Sequence, residues 1–425
     1  MELKIKNQYL INTHICYNQI MTKFLTKEYN EFIPEKYKKA LAEIIFAAEN
    51  SGIKIYLIGG IVRDLILNNL IQDIDITVEG DAIEFAKHIE AVADFKIISV
   101  QEKLRTAKVL FSSEIIIDLA STRKEYYTSG GMLPIACDFG CSLKEDVKRR
   151  DFTINTLALA LTGNDKYSLL DYFGGYDDIT NKKIRILHDK SFNDDPSRIV
   201  RAVKFQMRFN FNIEEKTNYL MNNYLNNFKS TIPLERIKNE FKQYFNIKKE
   251  GIYTNIIKKN IYKLISNNPI KHFNTDLLKK ILQYVDESDI HFLYTAFLII
   301  NSDFNSERLN LTSEERKCLK ETKELLKTSP INLDDNYLIY SSFINKQKLT
   351  PVIYYLISED KTALKYYEEL KDIKLSITGK DLINLGYSPS PDFGNIFKKI
   401  IKEKLNGNLI RKEDEIQFAI KFLKK

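Results

Sequence analysis

Three aspartates in the first third of the chain have the types and spacing of a metal site. Asp73 and Asp75 alternate with isoleucines in the segment DIDIT, and side chains two positions apart on a strand share a face. Two carboxylates on one face repel each other unless a cation lies between them, and such oxygen ligands suit Mg²⁺. Asp118 ends a second apolar stretch, EIIID, and could complete a two-metal site for displacement at phosphorus. A solvated strand face is the alternative for the aspartate pair alone.

A pair of glycines, Gly59 and Gly60, lies between an apolar stretch and a segment with helical spacing. A strand, a tight turn and a helix start leave backbone N–H groups pointing outward, which suits an anion. Arg63 could reach a phosphate oxygen from the first helical turn, and Asp64 could pair with it or contact a ribose. Most glycine pairs form simple turns, so this pair indicates an anion site only in combination with the neighbouring aspartates.

The composition narrows the class of protein. The chain has 425 residues, of which 44% are hydrophobic, and this is enough for two to four domains. No run of apolar residues is long enough to span a membrane, and the N-terminus lacks the features of a signal peptide. Four cysteines are too few for a disulfide framework, so we expect reduced thiols and a cytoplasmic location; Cys137 and Cys141 could hold a metal, but no histidine is near. The net charge of +7 permits a nucleic-acid partner without requiring one.

The elements that must position these residues alternate between strands and helices up to about residue 187. The patterns predict a helix over Pro34–Gly52, a buried strand before the glycines, a short helix after them, and a strand that carries the aspartate pair. A helix capped by Asp81 follows, and then two strands close enough to form a hairpin. The first part is therefore a mixed α/β domain. From about Asp189 the apolar spacing is helical, which predicts an all-helical second half.

Four motifs in order give this chain a family resemblance. GGIVRD followed by DID resembles the first motif of the class II tRNA nucleotidyltransferases and poly(A) polymerases, in the DNA polymerase beta superfamily. RRDFTIN (149–155), DYFGGYDDI (171–179) and DDPSRIVRAVKF (194–205) resemble the motifs that follow. The likeness covers about residues 53–245, with a looser match near 377–394. It implies an α/β head, a mixed β-sheet nucleotidyltransferase palm, followed by an all-α neck, body and tail.

The resemblance divides the chain into five predicted segments. They are an N-terminal extension (1–35), a nucleotidyltransferase head (36–187), a helical neck with a nucleobase-reading helix (188–265), a helical body (266–375) and a tRNA-binding helical tail (376–425). Within the head, residues 124–147 are expected to form a mobile loop, which in the family helps to switch between C and A addition; Arg123 at its base could take part.

The resemblance also implies nucleotide contacts in the second and fourth motifs. Arg150 is predicted to contact the nucleotide and Asp151 to assist with the ribose hydroxyl, whereas Asn155 is expected to be structural. Two further basic residues of the fourth motif, Arg201 and Lys204, are predicted to contact the base or phosphates. Lys204 stands where many relatives have arginine, which would replace a bidentate contact by a single one.

The nucleobase itself would be read by Asp195 and Arg198, which resemble the family's protein template. Three residues apart on a helix, they are predicted to share a face. A carboxylate accepts from an exocyclic amino group and a guanidinium donates to a ring nitrogen or carbonyl, so the pair could accept cytosine and adenine and reject uracil and guanine. An ordinary i,i+3 salt bridge is the alternative. Asp194 stands where the family usually has glutamate.

These expectations combine into a template-independent enzyme that adds C, C and A to the tRNA 3′ end. CTP and ATP would be the nucleotides, Mg²⁺ the metal held by Asp73 and Asp75, and the tRNA acceptor stem and elbow the partner surface; Asp118 would help to activate the attacking hydroxyl. A CC-adding or A-adding specialist and a poly(A) polymerase are alternatives with the same fold. A small-molecule nucleotidyltransferase and a non-catalytic RNA-binding protein are weaker ones. The sequence indicates no oligomeric state.

Two other features were weighed and given lesser roles. The dipeptide His188-Asp189 matches part of an HD phosphohydrolase site, but only five histidines occur in the chain and none is suitably clustered. Lysines and tyrosines alternate over residues 248–264 and could lie against RNA phosphates, although a solvated amphipathic helix is the preferred interpretation.

Overall fold

The computed structural model describes residues 26–71, 73–112, 114–128, 134–227, 234–247, 249, 251–266, 270–271, 274–302, 309–328 and 330–423. Most of the predicted N-terminal extension therefore lies outside the described residues. The chain separates into two compact units, Met1–Pro233 and Leu234–Lys425. Their boundary falls inside the predicted neck, and the five-segment division stays a prediction.

The first unit is built on a seven-stranded mixed sheet in the order β3-β4-β5-β2-β1-β8-β9. β2 and β5 are parallel, and the other neighbouring pairs are antiparallel. The strands of the sheet are β1 (Lys54–Ile58), β2 (Ile74–Glu79), β3 (Phe95–Gln101), β4 (Thr106–Phe111), β5 (Ile115–Ser121), β8 (Ala158–Ala160) and β9 (Leu169–Leu170). Two short pairs lie outside it, β6 (Lys124–Tyr126) with β7 (Ile135–Cys137), and β10 (Lys183–Ile184) with β11 (Asn212–Ile213).

Besides a helical segment at residues 26–32, eight helices accompany these strands in the described part of the first unit. They are α1 (Glu35–Asn50), α2 (Gly60–Ile66), α3 (Ala82–Val92), α4 (Leu143–Lys148), α5 (Gly175–Thr180), α6 (Ser191–Asp194), α7 (Ser197–Phe209) and α8 (Glu215–Asn227). As predicted, α3 is capped by Asp81, whose carboxylate accepts from the backbone N–H groups of Ile83 and Glu84. This cap satisfies two of the donors that a helix start leaves without an internal partner.

Alternating burial on β2 explains why its aspartate faces outward. Ile74, Ile76 and Val78 are all at most 1% exposed, whereas Asp75 between them is exposed. Successive side chains of a strand point to opposite faces, so packing the isoleucines into the core turns the carboxylate to solvent. The core thereby fixes the register of the site, because a slip by one residue would bury the aspartate.

Seven strands, β3 and β6 to β11, were not anticipated from the sequence. β3 is largely exposed along its length, and β8 and β9 have only three and two residues, so neither gives a clear alternating pattern. The segment 124–147 was expected to be a mobile loop, and this was wrong for much of it. β6 and β7 pair as an antiparallel hairpin and α4 follows, while residues 129–133 lie outside the described ones.

The second unit confirms the predicted all-helical second half, since no strand occurs among its described residues. Its helices are α9 (Leu234–Phe245), α10 (Ile252–Lys258), α11 (Thr275–Ile281), α12 (Ile290–Ile300), α13 (Ser313–Lys327), α14 (Asn336–Phe343), α15 (Thr350–Ser358), α16 (Thr362–Lys365), α17 (Gly379–Asn384), α18 (Asp392–Leu405) and α19 (Lys412–Leu423). None of the described helices is long and apolar enough to cross a bilayer. Near α10, Tyr253 and Tyr262 are buried, so these tyrosines pack inside the unit and do not face RNA.

Candidate active site

The sheet brings two of the three predicted carboxylates together. Asp75 on β2 pairs with Asp118 on the parallel neighbour β5, and Asp118 in turn pairs with Lys108 on β4. Directly paired residues on neighbouring strands have backbones about 5 Å apart and side chains on the same face. Asp73 precedes the first residue of β2 and is exposed at the same end of the strand. We call Asp73, Asp75 and Asp118 the acid row.

The electrostatics of the acid row indicate an excess of negative charge. Although Asp75 is open to solvent, nearby protein atoms partly desolvate it and raise its pKa, and the charges of Asp118 and Asp73 raise it further. Lys108 and Arg150 act in the opposite direction without cancelling the shift. The Lys108 ammonium lies 2.8 and 2.9 Å from the two carboxylate oxygens of Asp118. The row is therefore a place where added positive charge is favourable.

The donor set matches a hard divalent cation in chemistry, since it offers carboxylate oxygens in register on adjacent strands. Within the part of the chain that the structure describes, no three His, Cys, Asp or Glu side chains converge closely enough to form a complete metal cage. The acid row does not form such a cage, and Lys108 neutralises Asp118 within it. The free thiols of Cys137 and Cys141 do not form one either. The carboxylates fit a metal that is shared with a bound ligand's oxygens.

The glycine turn beside the acid row has no room for a side chain at Gly59. This residue has φ 75° and ψ −120°, a conformation open essentially to glycine alone. A Cβ at this position would lie 2.6 Å from Nη1 of Arg150 and 3.3 Å from the carbonyl oxygen of Asn155. Gly60 begins α2, which has only seven residues, so its dipole contributes little to anion binding. The turn acts mainly by admitting the Arg150 guanidinium.

Arg150 is the predicted nucleotide ligand with unused hydrogen-bonding capacity. Its Nε is buried and has no hydrogen-bond partner among the residues described. Its other nitrogens make long contacts, each of 3.5 Å, to the Asn155 carbonyl and to Asp146. Burial lowers the pKa of Arg150, and the charge of Asp146 counteracts this effect. A buried donor without a partner is costly unless a ligand completes it, so this guanidinium fits an anion such as a phosphate.

Arg63, in contrast, is buried and turned towards α7. Its guanidinium donates to both carboxylate oxygens of Asp64 and, at 2.6 Å, to Oδ1 of Asn155. It also lies 4.5 Å from the ring centroid of Phe209 and 5.3 Å from that of Phe205. Burial lowers the pKa of Arg63, an effect that Asp64 opposes. The observed contacts favour a role in holding α2 against α7, and the predicted phosphate contact stays a prediction.

The buried Asp151 and the partly exposed Arg201 form an ion pair that continues this network. Oδ1 of Asp151 accepts from Asn155, and Oδ2 accepts from Nε of Arg201 at 2.7 Å. Burial alone would raise the pKa of Asp151, but the Arg201 charge and the hydrogen bond from Asn155 outweigh it, so the pKa is lowered. Asn155 therefore joins the two arginine–aspartate pairs, as its expected structural role requires.

The prediction that Asp195 and Arg198 lie on one helix face was wrong. Asp195 precedes α7 in an extended conformation, with φ −144° and ψ 94°, and its Oδ1 accepts from the N–H and hydroxyl of Ser197. The sequence carried the signal, because a residue before proline is disfavoured in the helical region and Pro196 follows directly. Both residues are buried, at 5% and 4% exposure, so the order of the motif is kept while its geometry differs.

Arg198 lines a cavity of about 290 Å³. Its guanidinium donates to the Ser191 hydroxyl at 2.6 Å, the Arg149 carbonyl at 3.0 Å and the Tyr127 hydroxyl at 3.3 Å. Lys204, further along α7, is buried at 7% exposure, with its ammonium 5.6 Å from the Phe205 ring centroid. The cavity is also lined by Lys124, Glu125, Tyr127, Glu145, Lys148, Arg149, His188 and Asp194.

Several of these lining residues escaped the sequence analysis. Asp194 was noted there only as a departure from the family pattern, and His188 only as part of an HD dipeptide. The two side chains lie 3.7 Å apart, and burial together with Arg198 lowers the pKa of His188. Tyr127 belongs to the segment that was expected to be a mobile loop. No local sequence pattern predicts the contact of its hydroxyl group, because the partner Arg198 lies 71 positions away in the chain.

The chain is similar to proteins of known activity. Residues 55–185 match the model of the poly(A) polymerase head domain. The A-adding tRNA nucleotidyltransferase of Geobacter sulfurreducens is 29% identical over 92% of this chain and 48% of that protein. The one from Halalkalibacterium halodurans is 27% identical over 92% of this chain and 94% of that protein. The CCA-adding enzyme of Staphylococcus epidermidis is 27% identical, covering 88% of this chain and 95% of that enzyme. The chain thus spans about half of the first relative's length.

Two solved structures extend the comparison to the fold. A CCA-adding enzyme in an apo form aligns with a TM-score of 0.77 at 24% identity, over 93% of this chain and 98% of that one. The Thermotoga maritima CCA-adding enzyme complexed with tRNA_CCA aligns with a TM-score of 0.69 at 25% identity, over 95% of this chain and 98% of that one. The predicted architecture, a mixed-sheet head followed by helices, is thereby confirmed.

Proposed function

The chain belongs to the class II tRNA nucleotidyltransferases, and from this premise we propose that it adds C, C and A to the 3′ end of tRNA. CTP and ATP are the nucleotides, and pyrophosphate is released. The observation that carries the proposal is the in-register pairing of Asp75 with Asp118, together with the close approach of the Arg150 guanidinium to Gly59 directly after β1. The carboxylates would then bind the metal and the Arg150 guanidinium would bind the triphosphate, so that both act on the phosphorus atom that is attacked.

The family implies the use of a divalent metal, and we assign Mg²⁺ to Asp73 and Asp75. When bound, Mg²⁺ supplies Lewis-acid stabilisation of charge on the transferring phosphate. Asp118 would accept the proton of the terminal ribose hydroxyl as it attacks the α-phosphate, since it lies directly opposite Asp75 on the neighbouring strand. The raised pKa of Asp75 supports a site whose carboxylates are held close against their mutual repulsion.

The nucleotide would be held by the glycine turn and the second motif. Gly59 and Gly60 let the triphosphate approach the backbone, and the unpartnered Nε of Arg150 would be completed by a phosphate oxygen. Asp151, fixed by Arg201, would accept from a ribose hydroxyl. Arg63 and Asp64 would act indirectly, by holding α2 in place.

The base would be selected by Asp195 and Arg198, with Arg201 and Lys204 supporting α7. Both selecting side chains are fixed by hydrogen bonds, Asp195 to Ser197 and Arg198 to Ser191. Rigid donors and acceptors discriminate well, because a mismatched base leaves them without partners. Cytosine and adenine share an amino donor beside an acceptor, and this pattern separates them from uracil and guanine.

Relatives with two different names make an A-adding specialist the second candidate. The Geobacter and Halalkalibacterium relatives are A-adding enzymes, whereas the Staphylococcus relative adds CCA. The deciding experiment offers the pure protein three substrates, tRNA lacking CCA, tRNA lacking only A, and an unrelated RNA, with each nucleotide alone and in mixture. Full repair of the first substrate supports CCA addition, repair of the second alone indicates A addition, and long tails on unrelated RNA indicate poly(A) synthesis.

Replacing Arg198 by alanine is expected to reduce the preference for CTP and ATP over UTP and GTP by roughly 10- to 100-fold. The guanidinium donates hydrogen bonds that the wrong bases could not replace, so its loss removes the penalty for them. The measurement is kcat/KM for each nucleotide with a tRNA primer. Arg208→Ala on the exposed end of α7 is the control, and unchanged discrimination in Arg198→Ala would contradict a protein template.

The tail is expected to bind tRNA through its phosphates. Lys398 and Lys402 are exposed on α18, and each phosphate contact contributes about one unit to the salt dependence of binding. Lys398→Ala/Lys402→Ala should weaken tRNA binding and lower the slope of log K against log salt by about two, with kcat at saturating tRNA unchanged. Lys323→Ala/Lys327→Ala on α13 is the matched control. An equal loss in both variants would refute a specific role for the tail.

A further inference from the structure

Lys108 is a cation built into the acid row. Its ammonium contacts both oxygens of Asp118, at 2.8 and 2.9 Å, and the two residues are direct cross-strand partners on β4 and β5. The hydrogen bond to Asp118 raises the pKa of Lys108, and the charges of Asp118, Asp75 and Asp73 contribute in turn. The lysine therefore responds electrostatically to all three carboxylates of the acid row, two of which are assigned to the metal.

Among the charged groups around Asp118, the Lys108 ammonium is the immediate counter-ion of the carboxylate. Asp75 lies beside Asp118 on β2 and repels it, while Arg150 acts on Asp75 from the side of the glycine turn. Both oxygens of Asp118 face the ammonium at hydrogen-bond distance. A divalent ion bound to an Asp118 oxygen would place its two positive charges next to the positive charge of Lys108. The ion and the ammonium therefore compete for the Asp118 carboxylate.

We propose that Lys108 is an internal counter-cation of the acid row, which neutralises Asp118 when no divalent ion is bound and must release that carboxylate before an ion can take it. The inference rests on the proposed metal-dependent function of the site. Lys108 is in this sense a positioning residue, because it acts on the metal through Asp118. Its presence weakens metal binding by the free protein, and a bound triphosphate would help to reverse the balance by adding oxygen ligands.

The alternative is an ordinary surface ion pair that only supports the sheet. Both side chains are about half exposed, at 52% and 42%, and such pairs contribute little to stability. The two interpretations differ in what they expect of metal affinity. Removal of a supporting pair would change thermal stability only slightly and leave the affinity for a divalent ion as it was. A counter-cation would change the affinity whatever happens to stability.

The test measures Mn²⁺ binding to the nucleotide-free full-length protein by electron paramagnetic resonance of the free ion. Lys108→Met keeps the length of the side chain and removes its charge, and we expect it to bind Mn²⁺ roughly three- to tenfold more tightly. Lys108→Arg should resemble the parent. Lys96→Met, at an exposed lysine of β3, controls for the change in net charge and should stay within roughly twofold of the parent.

A double-mutant cycle ties the effect to Asp118. In an Asp118→Asn background the gain from Lys108→Met should vanish, because the carboxylate for which ion and ammonium compete is gone. Equal affinities of Lys108→Met and Lys96→Met would overturn the inference, as would a gain that persists without Asp118. If Lys108→Met fails to fold, as judged by thermal unfolding, Lys108→Gln replaces it. Saturable Mn²⁺ binding in the parent with no effect of Lys108 refutes the counter-cation alone, whereas absence of binding in both the parent and Lys108→Met refutes the metal site and the counter-cation with it.

Discussion

Replacing Asp75 by asparagine is expected to lower nucleotide addition by roughly 10³-fold, since one well-placed electrostatic group commonly contributes about this much to a transition state. Asp75 is the carboxylate at the centre of the acid row, paired with Asp118 across β2 and β5. An amide of the same shape keeps the packing of β2 but removes a charged ligand from the phosphate-transfer site. The measurement is single-turnover addition of one radiolabelled CMP to tRNA lacking CCA.

The fold should survive this change, because the folded protein gains nothing from ionised Asp75. The pKa of Asp75 is raised in the folded state, so its charge opposes folding at neutral pH and the opposition fades as the carboxyl is protonated. Asp75→Asn should therefore unfold at the same temperature as the parent or a higher one, and tRNA binding should be retained.

Asp94→Asn serves as the control for this prediction, since Asp94 is an exposed aspartate with a 3.4 Å contact to Ser112. It should keep full activity. If Asp75→Asn added nucleotides at the parent's rate, the assignment of the acid row to catalysis would have to be abandoned. If it lost activity and unfolded at a much lower temperature, the loss would instead reflect a structural role for the carboxylate.

Local patterns were sufficient for the elements that carry the acid row and the glycine turn. The period-two alternation of β2 predicted that Asp75 faces outward, and the burial of its isoleucine neighbours confirms this. The helical spacing of residues 34–52 and the cap at Asp81 were equally local signals, and both were confirmed. These features depend on a few consecutive residues, which is why a single sequence contains them.

Contacts between residues that lie far apart in the sequence could not be predicted from such local patterns. Arg63 was assigned to phosphate from its place in the glycine motif, yet its shortest hydrogen bond goes to Asn155, 92 positions away. Lys108 has no motif, and its pairing with Asp118 follows from the register of β4 and β5. The direction of a long, charged side chain depends on such tertiary partners and not on its neighbours in the chain.

The geometry of Asp195 shows the opposite kind of error, in which a local signal was present but outweighed by a motif. Pro196 restricts the residue before it to extended conformations, and Asp195 is found there, ahead of α7. The spacing of Asp195 and Arg198 within the fourth motif suggested a shared helix face. The Asp195 carboxylate reaches the start of α7 instead, and this fixes it as firmly as a helical position would.

Replacing Gly59 by alanine is expected to destabilise the protein by about 1–3 kcal/mol, because only glycine adopts its backbone conformation without strain. Gly163 has φ 80° with nothing within 4 Å of an added Cβ, so Gly163→Ala measures the cost of a positive φ alone. Both variants should unfold at lower temperature than the parent. Chemical denaturation gives the two free energies of unfolding, and a cost at Gly59 below that at Gly163 would contradict the expected strain.

Activity should separate the two glycine variants more sharply than stability does. At Gly59 the added methyl group would lie 2.6 Å from Nη1 of Arg150, and the flexible guanidinium would have to move away. A displacement of about 1 Å in an active site can cost roughly 100-fold in rate, so Gly59→Ala should lose about this much, whereas Gly163→Ala should lose none. If displacement of Arg150 is the cause, Gly59→Ala/Arg150→Ala should be no slower than Arg150→Ala alone, since the methyl group then meets only the Asn155 carbonyl oxygen, at 3.3 Å. A double variant much slower than Arg150→Ala would mean that the turn acts on the nucleotide through its own backbone.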